Sequence, residues 1–289
     1  MNQCICMATA TTRQEGLDKF YTVPSVAKEC ISKLGERFPW DSWDLVVEPS
    51  AGNGSFFLQI PSSKKIGLDI RPEHSQIQTL DFFNYKPPET SSNILVLGNP
   101  PFGKSCSLAV KFFNHAASFA SVIAFIVPRT FRRISLQNKL NSFFHLVQDI
   151  ELPLEPCAFS PPMMAKCCFQ IWRREVTPRI PISLVYDHPD WRFLDYGPLD
   201  ADGQPTPPKN ADFALRAYGG QCGEIRIENL FLLRPKSWHW IQCSLPKDTL
   251  IQRFQSLDYS ISMNTARQNS LGRADLVLLY SQQYSSIAI

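Results

Sequence analysis

Long hydrophobic runs are missing from this chain. No stretch of the 289 residues approaches the ~18 uninterrupted apolar positions needed to cross a bilayer, and Met1 to Gly16 has no apolar core of the kind a secretion signal needs. These absences predict a soluble, intracellular protein with no membrane partner, cytoplasmic or nuclear. An organelle stays open, because the acid-free start to residue 14 carries Arg13 and several threonines. The nine cysteines include no C-x-x-C pair, and the five histidines do not fall near them at zinc-ligand spacing. The odd, scattered set predicts reduced thiols and no metal site.

Charge is also sparse. Charged residues are 19% of the chain, against roughly 25% in an average soluble domain. A net charge of +3 excludes tight nonspecific binding to polyanions over the whole surface. Any nucleic-acid surface must be local, and the whole excess lies before residue 176. What is plentiful is apolar material, 44% of residues, which excludes disorder over most of the length and provides for a sizeable core. No repeat at a fixed period appears.

Residues 1–16 are small, polar and without periodicity, and read as a flexible leader. From about residue 17 to 175, short apolar runs alternate with amphipathic segments, the pattern of βαβ units around a parallel sheet. The runs Asp44–Val47, Lys65–Leu68, Asn93–Leu97, Ser121–Ile126, Val147–Leu152 and Cys167–Trp172 read as buried strands, and Val23–Leu34 and Ser107–Ser118 as helices. After Pro178 the texture changes, with proline, Asp and Gly gathered in Asp200–Asn210. Beyond it Phe213–Tyr218, Glu224–Glu228 and Ser237–Gln242 read as antiparallel strands and Thr249–Gln255 as a helix. The expected fold is α/β, a Rossmann-like doubly wound sheet over 17–177, with a smaller α+β region over 178–289.

Four elements carry chemistry. After the first strand comes Glu48-Pro-Ser-Ala-Gly52-Asn-Gly54, then a helical pattern; glycine lets a ligand approach such a turn and also serves any tight turn. The second strand ends at Asp69, where a carboxylate can accept both hydrogens of a ribose diol or cap the following helix. Next, Asp81 could accept from an adenine amino group while Phe82 covers its ring face. A third glycine at the dinucleotide spacing is absent, its place taken by Phe57, which points to an adenosine other than NAD. The strand Asn93–Leu97 runs through Gly98 into Asn99-Pro100-Pro101-Phe102. Its prolines stiffen the turn, so that the Asn99 amide oxygen and the Pro100 carbonyl become two fixed acceptors suited to the two hydrogens of an exocyclic amine. Phe102 is placed to stack on the base that bears the amine.

In this order the elements resemble the class I, S-adenosylmethionine-dependent methyltransferases, and within them the N6-adenine methyltransferases of nucleic acid in their gamma arrangement. The resemblance spans about residues 17–175 and implies a methyltransferase sheet, S-adenosyl-L-methionine as cofactor and a C-terminal target-recognition region. It implies that Phe20, Tyr21 and Thr22 close over the methionine moiety, with Glu48, Gly52 and Gly54 shaping its pocket. Asp69 would hold the ribose, Asp81 and Phe82 the adenine, and Asn99, Pro100, Pro101 and Phe102 the target amine and base. Asn in place of a leading Asp and Phe in place of a closing Tyr are both tolerated variants of the family, and Asn leans toward the wider set that includes RNA and protein glutamine methyltransferases. Phe159, in Ala158-Phe-Ser-Pro-Pro, resembles a weaker element that grips a flipped base.

For the substrate backbone, Lys104, Arg129, Arg132 and Arg133 follow strands whose carboxyl ends share the edge of Asn99, and could pair with phosphates or line a solvated helix start. Further cations at Lys209, Arg216, Arg226, Arg267 and Arg273, and the amide-rich Asn264–Ser270, could read a target or simply pack. The expected partner is nucleic acid, DNA ahead of RNA. The alternatives are an RNA N6-adenine enzyme, a protein glutamine N5-methyltransferase, and an inactive relative that only binds nucleic acid.

Overall fold

The computed structural model describes residues 20–284; the leader expected over 1–16 lies outside them. In chain order the elements are β1 (Tyr21–Thr22), α1 (Pro24–Arg37), β2 (Leu45–Glu48), β3 (Lys65–Asp69), β4 (Gln78–Thr79), β5 (Ile94–Gly98), α2 (Ser107–Ala116), β6 (Val122–Pro128), α3 (Ile134–Gln137), β7 (Phe144–Glu151), β8 (Phe159–Ser160) and β9 (Cys167–Arg174). There follow β10 (Trp191–Leu194), β11 (Phe213–Arg216), β12 (Ile225–Arg226), β13 (Trp238–Cys243), α4 (Lys247–Gln255) and α5 (Arg273–Tyr284).

Seven strands form one sheet in the order β4-β3-β2-β5-β6-β9-β7. β2 through β6 are mutually parallel where they pair, whereas β9 runs antiparallel to both β6 and β7. β5 and β6 are buried along their whole length, as expected of strands covered on both faces. Alternation sends Val46, Leu95 and Leu97 to one layer, where α1 packs through Val26, Ala27, Cys30, Ile31 and Leu34. Val47, Ile94 and Val96 face the other layer with Phe112 and Phe113 of α2. Pro24 at the start of α1 has its φ already set for a helix and gives up no bonded N–H.

The parallel sheet expected from the βαβ pattern has one exception. β9 is antiparallel, and an apolar run such as Cys167–Trp172 buries equally well in either direction, so its pattern carries no polarity. The helix expected after Gly54 shrinks to one 3-10 turn, Phe57–Gln59. Phe56 packs in the α1 layer and Phe57 in a small cluster with Ala51 and Ile77, and Pro61 halts the chain soon after.

The C-terminal residues build an antiparallel sheet in the order β10-β13-β11-β12. Its core holds Trp191, Phe213, Leu215, Ile241, Phe254 and Tyr280, contributed by the sheet and by α4 and α5. No helix among the described residues is long and apolar enough to cross a membrane.

On the α2 face, Phe113 is buried edge-on between Phe144 at 5.7 Å and Trp172 at 5.5 Å, and so ties α2 to β7 and β9. Phe113→Ala should destabilise the protein by about 3–5 kcal/mol in denaturant titration. A loss below about 1 kcal/mol would mean that α2 does not rely on this packing.

Candidate functional site

At the centre of the sheet the chain passes from β2 outward to β3 on one side and returns through β5 to β6 on the other. The carboxyl ends of β2 and β5 therefore flank a switch point, the place where open α/β sheets bind ligands. Glu48 closes β2 and Gly98 closes β5. A Cβ on Gly98 would lie 3.0 Å from Glu48 Cγ, so glycine, at φ +145°, makes room for the acidic side chain. Glu48 is buried, and its Oε2 has no hydrogen-bond partner. Burial pushes its pKa up from 4.5 to about 8; nearby Asp69 adds to the rise, while the Phe57 N–H and Lys65 oppose it.

The glycine turn is knotted to β3. Ala51 N–H donates to the Leu68 carbonyl at 2.8 Å and Gly52 N–H to Asp69 Oδ2 at 2.8 Å, while Arg71 N–H reaches Asp69 Oδ1 at 2.8 Å. Each Asp69 oxygen keeps a further lone pair. Gly52 holds φ +51°, and a Cβ there would stand 2.7 Å from Tyr21 Cε1, so the Tyr21 ring lies on the bare backbone of the turn. The Tyr21 hydroxyl donates to Glu73 Oε1 at 2.5 Å, and Glu73 N–H to the Gly52 carbonyl at 2.9 Å. Burial, with Glu73 and Asp69 beside it, raises the Tyr21 pKa and keeps the hydroxyl a donor.

Asn99 is gripped on two sides. Ser50 Oγ donates to its carbonyl at 3.1 Å, and its Nδ2 donates to the Phe20 carbonyl at 3.2 Å. That leaves Oδ1 buried without a partner. Pro100 is buried, and Phe102 is half-buried between the two layers, its carbonyl accepting from Leu108 and Ala109 N–H. Gly103, Ser105 and Cys106 follow with φ of +68°, +51° and +63°. A left-handed Ser and Cys beside a binding turn store backbone strain. β1 pairs with β8, Thr22 opposite Phe159, and buried Thr22 Oγ1 also lacks a partner. Of eight buried side-chain polar atoms without a partner among the described residues, three therefore sit here, on Thr22, Glu48 and Asn99. Buried polar groups are ordinarily paired, so three orphans in one connected set of residues point to ligand groups that complete them.

The structure thus brings Tyr21, Thr22, Glu48, Gly52, Asp69 and Asn99 to Phe102 together; Gly54, at φ +88°, closes the same turn. Other expectations it corrects. Phe82 is 1% exposed and stacked on Phe112 at 5.3 Å, inside the α2 layer, so its ring cannot cover a bound adenine. The 3-10 turn that begins there sends Phe83 outward instead. Asp81, whose expected role this leaves untouched, is exposed and caps that turn through one oxygen, Oδ1 accepting from Phe83 N–H at 3.0 Å. Phe159 is 3% exposed in the α1 layer and not free to grip a base. The arginine trio is consumed by ion pairs: Arg129 with Glu151 at 2.9 Å, Arg132 with Asp149 and Glu151, and Arg133 with Asp275 at 3.1 Å. Lys104 is exposed, with no ion-pair partner among the described residues. Glu73 belongs to the site without having been read in the sequence, and so do the bonds that Ser50 and the Phe20 carbonyl make to Asn99; these contacts span 21 to 79 positions, for which the local pattern holds no signal.

No family model and no curated relative matches the chain. Among solved structures it is similar to a protein from Listeria monocytogenes described as a class I S-adenosylmethionine-dependent methyltransferase, at 13% identity and TM-score 0.42 over 55% of this chain and 62% of that one. It is also similar to a type I restriction-modification system methyltransferase subunit from Streptococcus thermophilus, at 16% identity and TM-score 0.41 over 55% of this chain and 45% of that one. A third is magnesium protoporphyrin IX methyltransferase from Synechocystis, solved with S-adenosylmethionine bound, at 11% identity and TM-score 0.36 over 53% and 79% of the two chains. The chain thus spans less than two thirds of the length of the first of these.

The Glu48 carboxyl makes its own prediction. Its folded pKa of about 8 stands above the ordinary 4.5, so the folded protein holds a proton that the unfolded chain has released. Its contribution to stability is therefore full at about pH 4 and is lost as pH rises toward about 8. Denaturant midpoints should fall between pH 5 and pH 8.5 in the wild type and fall less in Glu48→Gln. Equal slopes in the two proteins would show that Glu48 is not buried as an acid.

Proposed function

We propose that the chain is an S-adenosyl-L-methionine-dependent methyltransferase acting on the exocyclic N6 amine of adenine in nucleic acid, with DNA favoured over RNA. One observation carries the reading: the buried Asn99 Oδ1, without a partner at the carboxyl end of β5 and fixed through its own Nδ2 and carbonyl. A fixed acceptor that lacks a donor suits a substrate N–H, and the adjoining Pro100 carbonyl is a second acceptor for the other hydrogen of an –NH2.

The cofactor-side residues fit the group they would hold. Glu48 Oε2 is an orphaned carboxyl atom beside Asp69 that a cationic moiety placed there would draw toward its ionised form, and the bare Gly52 backbone under Tyr21 leaves room for close approach. Glu48, Gly52, Gly54, Tyr21 and Thr22 would surround the methionine part, Asp69 would hold the ribose, and Asp81 the adenine amino group. When bound, S-adenosylmethionine supplies an electrophilic methyl group.

The chain's part in the reaction is positioning. With both amine hydrogens held by Asn99 and Pro100, the nitrogen lone pair is directed away from the two acceptors, and Phe102 steadies the base. The nitrogen proton becomes acidic as the new N–C bond forms and leaves to water, so no strong base is required. A base inside a duplex would first be flipped out, at a cost of a few kcal/mol that a single strand escapes. The order of the elements and the separate sheet over 178–289, taken as a target-recognition region, favour DNA.

Tritiated methyl transfer to matched single- and double-stranded DNA and RNA, followed by nucleoside digestion, tests this directly. The expected product is N6-methyldeoxyadenosine. Label confined to RNA would move the reading to the RNA enzyme, and no label on any of them, with the cofactor still bound, would move it to a protein glutamine amide, which needs the same two acceptors. Asn99→Ala should abolish transfer while changing cofactor affinity less than about tenfold, because it deletes a contact to the target alone. Asp69→Ala should weaken the cofactor first.

A further inference from the structure

The segment from Asn264 to Ser270 is bound to the catalytic rim by its backbone. β9 begins where β6 ends, Cys167 opposite Pro128, so the residues just before β9 lie on the same edge as the carboxyl end of β5. There Lys166 N–H donates to the Ala266 carbonyl at 2.8 Å, and Lys166 Nζ to Asn269 Oδ1 at 2.7 Å. Arg133, which follows β6, donates through Nε to the Asn264 carbonyl at 2.8 Å and through a terminal nitrogen to the Ser270 carbonyl at 2.5 Å. From the C-terminal sheet, Gly219 N–H holds the Asn269 carbonyl at 2.9 Å, and Ser270 bridges to Tyr218. Thr265 is buried. A loop fixed at so many points would be expected to be inert, yet Arg267 and Gln268 at its crest are exposed.

The anchors of the loop are cationic but compensated. Lys166 is held below the usual lysine range by burial and then by Arg129 and Arg133, and bonds the neutral Asn269, while Arg129 pairs with Glu151 and Arg133 with Asp275. Three other C-terminal cations are committed elsewhere, Arg216 and Arg226 to Glu224 and Arg273 to Asp195. Lys209 is exposed but lies on the loop joining β10 to β11. Arg267 has no ion-pair partner among the described residues.

We infer that residues 264–270 form the element that selects the substrate strand, with Arg267 meeting a backbone phosphate and Gln268 a base edge beside the target adenine. The inference rests on the nucleic-acid methyltransferase reading and assigns its substrate side. Glutamine can pair two groups on a base edge at once, and a guanidinium can grip two phosphate oxygens, so the adjacent pair divides register from sequence.

Anisotropy titrations with 12-nucleotide single-stranded DNA and RNA, at several salt concentrations, and methyl-transfer kinetics on a panel varying the bases beside the adenine, would be run on wild type, Arg267→Ala, Arg267→Lys and Gln268→Ala. Arg267→Ala should flatten the slope of log K against log salt by about 0.7–0.9, one phosphate contact, and raise KM several-fold with kcat kept. Arg267→Lys should restore the slope, and Gln268→Ala should keep it while levelling the preference among flanking bases. Unchanged slope and preference in the alanine variants, with wild type binding and methylating, would overturn the inference alone. If wild type neither binds nor methylates any oligonucleotide, the nucleic-acid reading falls and this inference with it.

Discussion

The burial of one carboxyl group against one bare backbone sets the centre of this molecule. Glu48 ends β2 with its side chain against Gly98, the last residue of β5, and no side chain at that position would leave the acid its place. The pairing of β2 with β5 thus ends in a polar atom that nothing in the described chain satisfies. Holding a charged carboxylate in this environment is unfavourable, and burial accordingly pushes its pKa up to about 8. The surrounding contacts maintain that geometry: Phe57 N–H on the acid, the Gly52 turn tied to Asp69, and Ser50 tied to Asn99. A fold that was only a stability device would have put a hydrocarbon there.

Read from the sequence alone, β2, β3, β5, β6, β7 and β9 are visible because each is a short apolar run bounded by turn residues, and their observed limits lie within about three residues of those runs. The two-residue strands β1 and β4 carry no periodicity long enough to read. β10 and α5 escaped as well: Trp191–Leu194 follows a proline-rich tract, and α5 buries only Leu276, Val277 and Tyr280, a stripe too thin to stand out. Strand direction was the deeper loss. A run buried on both faces looks the same parallel or antiparallel, and only the path of the intervening chain distinguishes β9.

In the candidate site the legible part was the part made by neighbours in sequence. Glu48 to Gly54 and Asn99 to Phe102 are each one contiguous segment at a strand end, so spacing and glycine or proline content reveal them. Side chains whose role depends on distant partners were misread. Arg132 reads as a free cation until β7 is folded beside it; Asp149 and Glu151 are two apart on that strand, hence on one face, and both meet Arg132. Phe82 reads as a ring beside a ligand until α2 packs over it. Aromatic and cationic types are shared by cores, ion pairs and binding surfaces, and burial alone separates these uses.

The placement of rigidity gives the two sides of the site different physics. On the chemical side, Asn99 is held at its carbonyl and its amide nitrogen, two prolines stiffen the following backbone, and the left-handed Ser105 and Cys106 fix the exit into α2. An acceptor held this firmly loses little entropy when a donor arrives, which is the condition for positioning to accelerate a transfer. On the outer rim the same firmness is applied to backbone alone: the carbonyls of Asn264, Ala266 and Ser270 are pinned while Arg267 and Gln268 are exposed. Such side chains can change without disturbing the fold that presents them. Under the proposed function chemistry and selectivity would be separable in this chain, the first written into strand ends that the core depends on, the second into a crest that it does not.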